Sequence, residues 1–484
     1  MAWINGWLPL GLYFGGLLSF PFFGPVLTVW AGEINAVYQL ALFFSFGHAA
    51  GLAAGGYYYL RRADSLKVRL AGAAAVLAAA ASTLGPSFLH PQSMAGILGG
   101  SLFMLCGLAS GWPVALYGRW LSSPATAGRR GLLMGGSICL ANLFMFAISQ
   151  GLQTGLFGPG AAASACALMF ALGGAGILVL PSGTGVLPAR LYPHGLKASL
   201  PPLRLVIIGC LVYFTGGLYY QTVLPSSTSF SSAYLLLAPY LVGVAFWGPW
   251  SDRRGRGNLV LCSLLMLGGG FSLWAASVQL NWLGSVAHLF IAAGLLCMDL
   301  FYWTSLADSA PPGSGSLTLG WGLAGSILAI TFPVLLTSLL PENLVLLRNI
   351  SGSLGMIFIL LSLFMIRERN LDFSVQTAAE AKSGDAPAGN AMDGDTKEMP
   401  GQLSGLSPTN PGSLLEQSFL AYNLTSREQE IATLLLHDSS SREIIEKLCI
   451  TQNTLKYHIK NLLRKTETNN RQELRDKLFP PLEQ

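Results

Sequence analysis

Between Asn453 and Thr466 the chain carries four basic residues and no acidic one, in the stretch TQNTLKYHIKNLLRKTE that runs from Thr451 to Glu467. Its apolar positions recur at helical spacing after a short turn. A cationic helix of this kind suits DNA, because Lys and Arg neutralise phosphates while an exposed face can reach base edges in the major groove. Docked in that way, the helix sends Lys456, Tyr457 and Lys460 towards base edges. Thr454, Arg464 and Lys465 then face phosphates. A second set is polar and lies inside long apolar runs: His48, Asn142, Gln221, His288, Asp299 and Arg348. Groups that are costly to bury in lipid face a cavity or a partner helix. His288 and Asp299 are eleven residues apart, about three helical turns, and so share a face.

No other constellation stands out. The seven cysteines, Cys106, Cys139, Cys166, Cys210, Cys262, Cys297 and Cys449, form no CxxC pair, so neither a disulfide framework nor a zinc site is expected. No catalytic residues are assigned, no cofactor is implied, and an enzyme is not expected. His458 reads as structural or phosphate-facing rather than as a metal ligand.

The elements that must position these residues lie in two different solvents. Of 484 residues, 52% are hydrophobic and 11% charged, against about 25% charged in a soluble chain. Residues 1–370 carry a net charge of +9 and residues 371–484 a net of −4, which accounts for the overall +5. Twelve apolar runs are long enough to cross a bilayer as helices, near 8–30, 38–60, 70–88, 94–118, 131–150, 158–181, 205–222, 232–250, 258–277, 282–304, 317–340 and 343–366. The third and eleventh are rich in Gly and Ala, which lets helices pack closely. MAWINGWLPLGLYF has no basic n-region before its apolar run, so no cleavable signal peptide is expected.

Basic residues fall in alternate loops: Arg61, Arg62, Lys67 and Arg69; Arg119, Arg129 and Arg130; Arg190, Lys197 and Arg204; Arg253, Arg254 and Arg256; the fifth of these loops, 305–316, has none and falls on the same side by parity. The loops between them carry no Lys or Arg. The positive-inside rule then predicts a multi-pass protein of the cell (inner, cytoplasmic) membrane, embedded in lipid, with both termini cytoplasmic.

The loop GPWSDRRGRG, Gly248 to Gly257, closes the eighth run. Its Gly248, Asp252, Arg253, Gly255 and Arg256 resemble the signature loop of the major facilitator superfamily, which recurs between spans 2 and 3 and between spans 8 and 9. The first-half counterpart, GYYYLRRADS from Gly56 to Ser65, keeps Gly56, Arg61 and Arg62 but has Leu60 in the place of the Asp. The resemblance covers about residues 8–366 and implies two six-helix halves. Gly255 permits a tight turn, and Asp252 can meet Arg253, Arg254 or a helix N-terminus. In that family spans 1, 4, 7 and 10 line the central cavity. With His48 of span 2, this gives Tyr13, Tyr219, Tyr220, Gln221, His288 and Asp299 as the candidate ligand contacts.

After residue 370 the composition changes. Residues 371–423 are rich in Ala, Gly, Ser, Asp and Pro, with a net charge of −5 and too few apolar groups for a core, so a disordered linker is predicted. About 50 such residues span roughly 40 Å on average. Beyond it, Thr425 and Glu428 read as a capping box. Ile431, Leu434 and Leu435 form an apolar stripe. A second helix, carrying Ile444, Ile445 and Leu448, is capped by Ser441 or Ser440. A three-residue turn leads to the basic helix, capped by Thr451 or Asn453: helix–turn–helix spacing.

The stretch from Leu424 to Leu478 resembles the LuxR-type (GerE-type) DNA-binding domain. Leu424, Thr425, Arg427, Glu428 and Glu430 match its opening, Ser440, Arg442, Glu443 and Ile444 its middle, and Thr454, Leu455, Lys456 and His458 its centre, with Lys465 and Arg471 following. Asp438 stands where Gly is usual, Ile445 replaces a small Ala, and Thr466–Glu467 replace Leu-Gly. The resemblance implies four helices, double-stranded promoter DNA as partner, and a homodimer through the last helix, about 471–478.

The fold expected is therefore all-α. A twelve-helix membrane bundle occupies 1–370, a flexible linker 371–412 and a four-helix LuxR-type domain 413–484. The expected function is a one-component membrane-embedded transcription regulator that senses an unknown small molecule through the bundle. The alternative is a secondary transporter with a regulatory DNA-binding tail.

Overall fold

In the computed structural model the described residues are 4–62, 66–88, 97–180, 200–219, 238–241, 243–277, 280–311, 313–339, 346, 349–350, 352–358, 360–361, 419, 422, 424, 426–436, 443–444, 452–466, 468 and 471–478. The chain divides into two compact units, Met1–Pro387 and Ala388–Gln484. Among the described residues both are helical, without a strand. The expected linker, 371–412, lies outside the described residues.

The first apolar run, expected as one span over 8–30, is two helices: α1 (Ile4–Ser19) and α2 (Pro25–Ala31), with a turn over 20–23. The sequence FPFFGP explains the break. A residue before proline is pushed out of the helical region, and Pro25, with no N–H to donate, is suited to the first helical turn. The next five runs form α3 (Ile34–Leu60), α4 (Leu66–Thr83) with the one-turn α5 (Gly85–Phe88), α6 (Ile97–Leu121), α7 (Arg130–Gln153) and α8 (Pro159–Val179). Then come α9 (Leu203–Leu218), α10 (Gly248–Arg254), α11 (Gly257–Ala276), α12 (Asn281–Ser309) and α13 (Gly315–Leu339). Among the described residues eight helices are long and apolar enough to cross a membrane. They correspond to the second to sixth and the ninth to eleventh runs. The seventh run is the shorter α9, and the eighth and twelfth are described only in part.

Lipid gives helices no hydrophobic reason to associate with one another, so close contact and backbone approach must hold them. The tightest crossing is between α3 and α6. A Cβ on Gly51 would lie 2.1 Å from the Leu108 carbonyl oxygen, and one on Gly107 would lie 2.1 Å from that of Phe44. The glycines of α13 do the same against α3, where Gly320 faces the Leu52 carbonyl at 2.5 Å. The sequence carries a signal for this crossing beyond the third and eleventh runs: Gly47, Gly51 and Gly55 recur every fourth residue among alanines in α3, and Gly107 and Gly111 have the same spacing in α6, which suits close helix contact. One apolar core runs through the membrane unit, from Leu10 and Tyr13 in α1 to Leu319 and Ile330 in α13.

The C-terminal unit has its own core: Phe419, Leu424, Ile431, Ala432, Leu435, Ile444, Leu455, Leu462, Leu474 and Leu478. It draws on α14 (Ser426–Leu436), α15 (Gln452–Lys465) and α16 (Arg471–Leu478). Leu434 packs against it only partly buried. Thr425, Ser440, Ser441, Ile445 and Leu448 lie outside the described residues.

Candidate nucleic-acid interface and membrane cavity

The basic helix is α15. Leu455 and Leu462 are buried in the core, and Ile459 and Leu463 pack against it half-buried. With 100° per residue, that inward stripe places positions 454, 457, 460 and 464 on the outer side of the helix and position 456 on its flank; the side chains of Thr454, Lys456, Tyr457 and Arg464 lie outside the described residues. Lys460 is exposed. The basic residues are thus carried by a helix whose other side is committed to the core. Lys465 is placed differently from its sequence expectation: its ammonium donates to Glu428 Oε2 at 2.8 Å, across from α14. Glu428 is 3% exposed. This carboxylate, read from sequence as half of a capping box whose Thr425 lies outside the described residues, ties α14 to the end of the basic helix.

In the membrane unit, the loop around Asp252 joins the two halves of the bundle. Asp252 Oδ1 and Oδ2 accept the backbone N–H groups of Gly131 and Leu132, at 2.8 and 2.9 Å, at the start of α7. Of the partners open to it from sequence, Asp252 therefore meets a helix N-terminus, where orphan donors and the helix dipole favour an anion. It also accepts from Arg256 Nη1 at 2.8 Å. Arg256 Nε donates to Asp308 Oδ2 at 3.0 Å, and Arg130 Nη1 donates to Asp308 Oδ1. All four side chains are largely buried. Burial opposes the Arg256 charge, but Asp308 and Asp252 outweigh it and hold the guanidinium above its ordinary range. Gly255, at φ 88°, closes α10 so that Arg256 can turn back on this cluster. Gly248 and Gly131 touch backbone to backbone, since a Cβ on Gly131 would lie 2.4 Å from the Gly248 oxygen. Arg253 is exposed and stands apart.

Among the described residues the corresponding first-half contact has no carboxylate. Leu60 occupies the Asp place, and the Gly56 carbonyl accepts from Ser316 Oγ at 3.3 Å instead. The Arg62 guanidinium lies over the Tyr58 ring, 4.2 Å from its centroid.

Between the halves lies a cavity of about 150 Å³. Its polar lining comes from His48, Asn142, Tyr213, Tyr240, Asp299 and Ser326, and Phe14, Phe22 and Trp303 add aromatic faces. Tyr213 donates its hydroxyl to Asp299 Oδ1 at 2.5 Å. His48 Nδ1 is 2.7 Å from Ser110 Oγ, and Asn142 Nδ2 donates to the Ile138 carbonyl at 2.8 Å. Of the sequence candidates, His48 and Asp299 line this cavity. Tyr13 does not; it is fully buried against Phe170 and donates to the Ser110 carbonyl at 2.9 Å. His288 and Tyr219 are bonded to each other at 3.1 Å, buried and away from the lining. The shared face expected for His288 and Asp299 thus serves two separate sites. Tyr220 and Gln221 lie outside the described residues. Sequence reading missed Tyr213, Tyr240, Trp303 and Ser326. Trp303 had a signal, one helical turn after Asp299 on α12; the others are ordinary polar and aromatic residues in apolar runs.

Comparison with known proteins bears on both units. The family model for bacterial regulatory proteins of the luxR family (GerE) matches residues 422–478. No curated protein matches the chain. Several solved structures share the fold of the membrane unit at low identity. The proton:xylose symporter XylE, bound to 6-bromo-6-deoxy-D-glucose, is 16% identical and aligns over 76% of this chain and 95% of its own, with a TM-score of 0.55. The human organic anion transporter MFSD10 (TETRAN) is 15% identical over 75% and 99%, with a TM-score of 0.57. A bacterial homologue of the iron transporter ferroportin, in an outward-facing state, is 14% identical over 75% and 98%, with a TM-score of 0.55. The chain is a multi-pass membrane protein that joins a bundle of the major facilitator fold to a LuxR-family DNA-binding domain at residues 422–478.

Proposed function

We propose that the chain is a one-component transcription regulator held in the cytoplasmic membrane, with both termini inside. A small molecule entering the central cavity biases the two halves of the bundle between conformations. That bias alters how the C-terminal domains pair on promoter DNA. The observation that carries this reading is a polar-lined cavity between the halves, on the same polypeptide as a DNA-binding domain. Such coupling requires the ligand to bind one conformation better than the other. The basic residues in alternate loops support the orientation, and membrane tethering supports pairing, since two tethered copies raise each other's effective concentration. The DNA contacts assigned are Thr454, Lys456, Tyr457, Lys460 and Arg464.

The second reading, a transporter with a regulatory tail, draws on the same fold, which is that of solved transporters. One experiment separates the two. DNA bound to the full-length protein is recovered from cells, the promoters found are fused to a reporter, and the same panel of small molecules is tested for reporter induction and for uptake in vesicles. Ligand-dependent reporter output without uptake supports the sensor. Saturable uptake with an unresponsive reporter overturns it.

A further inference from the structure

Among the described residues, the cavity joins a carboxylate to aromatic faces and brings no Lys or Arg of its own. Among the described lining residues there is one Asp, Asp299, and no Lys or Arg. Among the described residues Asp299 makes no ion pair; the partner it has is the Tyr213 hydroxyl at 2.5 Å. A carboxylate offers about four acceptor positions, so one hydroxyl leaves most of them open. Arg130 and Arg256 are engaged by Asp308, nine residues further along α12. Around it stand Phe14, Phe22, Tyr240 and Trp303. Aromatic faces are electron-rich at their centres and attract an organic cation, Trp most strongly. An anion would meet the Asp299 charge with no Lys or Arg among the described lining residues to offset it.

We infer that the cavity recognises a small organic monocation: a protonated amine whose ammonium meets Asp299 and whose hydrocarbon body lies against the aromatic walls. The volume sets the size. A cavity of about 150 Å³ holds a molecule of roughly benzene's bulk, so the body is a single ring or a short branched chain. His48, held by Ser110 Oγ, and Asn142, bonded to its own helix, supply polar edges on the other wall without adding a fixed charge. This inference rests on the cavity being the ligand site of the proposed regulator and adds the class of ligand.

The test uses purified full-length protein in nanodiscs and radiolabelled benzylamine, with unlabelled cyclohexylamine, phenethylamine, benzyl alcohol and benzoate as competitors. Saturable benzylamine binding is expected, displaced by the two amines and not by benzyl alcohol or benzoate at the same concentration. Asp299→Asn is expected to weaken benzylamine at least tenfold. Trp303→Leu, which keeps the charge and removes the indole face, is expected to weaken it several-fold. Trp282→Leu, which removes an exposed indole of α12 that does not line the cavity, keeps the binding. Displacement by benzyl alcohol as strong as by the amines, an undiminished Asp299→Asn affinity, or no saturable binding of any amine overturns the cation assignment. A proton resident on Asp299 would give the first of these results. The outcomes separate this inference from the sensor reading. Amines that bind but leave the reporter silent sustain the ligand class and sink the sensor. A reporter driven by neutral or anionic molecules does the reverse.

Discussion

Lys465 Nζ lies 2.8 Å from Glu428 Oε2, with the carboxylate side chain 4% exposed and the ammonium side chain 25%. The pair joins the start of α14 to the end of α15, so it fixes the basic helix against the helix behind it. A carboxylate buried this deeply is costly if its cation is removed. Lys465→Met is therefore expected to destabilise the C-terminal domain by about 1–3 kcal/mol. The Glu428→Gln/Lys465→Met double variant should lose clearly less than the sum of the two singles. Urea unfolding of residues 388–484 measures both, once the fragment itself is seen to unfold cooperatively. An additive double variant would mean that the contact contributes nothing.

The same pair separates positioning from DNA contact. Lys460 is exposed on the side of α15 away from the core. Arg464→Ala, at a position assigned to the phosphates, should reduce the slope of log affinity against log salt by about 0.9, the loss of one phosphate neutralised. Lys460→Ala, at a position assigned to base edges, should instead lose discrimination, about 1–3 kcal/mol at the contacted base pair. Lys465→Met, at a temperature where it remains folded, should leave the salt slope unchanged. Equal reductions in slope for Arg464→Ala and Lys465→Met would return Lys465 to the phosphates.

In cells, Lys456→Ala combined with Lys460→Ala should abolish regulation of the target promoter and leave the protein in the membrane. The two positions are one turn apart on α15, and the bundle inserts without them. A reporter assay beside a membrane-fraction blot checks both halves of the statement. Normal regulation by the double variant would place the reading face elsewhere on the helix.

Much of this architecture is legible in the residues, for identifiable reasons. Lipid forces long apolar helices, so the second to sixth and ninth to eleventh runs needed only their length and composition. The Asp252 loop announced itself because Gly, Asp and Arg at fixed spacing are rare at the end of an apolar run. The basic helix was visible because its charges and its apolar stripe occupy different faces. Partnerships across the chain were not legible. Asp308 gave no sign that it would bridge Arg130, 178 residues earlier, and Arg256. Nor did spacing along α12 reveal that His288 would bond Tyr219 while Asp299 bonded Tyr213. Helical periodicity places residues on a face, whereas the neighbouring helix decides what that face meets.

Gly51 tests the closest helix crossing. A Cβ there would sit 2.1 Å from the Leu108 carbonyl oxygen, a backbone atom that cannot swing aside. Gly51→Ala should force α3 and α6 apart and sharply reduce the folded protein recovered from membranes, and Gly51→Ile should abolish it. Gly85→Ala is the control, because nothing lies within 4 Å of the added atom. Fluorescence-detected size exclusion of detergent extracts compares the three. A Gly51→Ala profile matching that of Gly85→Ala would mean that the crossing tolerates separation.

The cluster of Arg130, Asp308, Arg256 and Asp252 should behave as a unit whose members are not interchangeable. Asp308 is the anion shared by two buried guanidinium groups. Asp308→Asn keeps the shape but removes the ion pair of Arg130 and one of the two that Arg256 makes, leaving the one with Asp252. Removing one partner of a buried pair typically costs about 3–5 kcal/mol, and a loss towards that range is expected in the thermal stability of the purified protein. Asp252→Asn should cost less, since the amide oxygen can still accept from one of the two N–H groups that open α7. Its larger effect should be on conformation, because the carboxylate is what attaches the second-half loop to a first-half helix. Thiol labelling of a cysteine introduced at position 308 would disturb the cluster itself, so the accessible probe is placed at Arg253, which is exposed and outside it. Faster labelling of Arg253→Cys in the Asp252→Asn background, with promoter output no longer responsive to ligand, is the expected result. Unchanged labelling and an unchanged dose response would leave Asp252 with a role in folding alone.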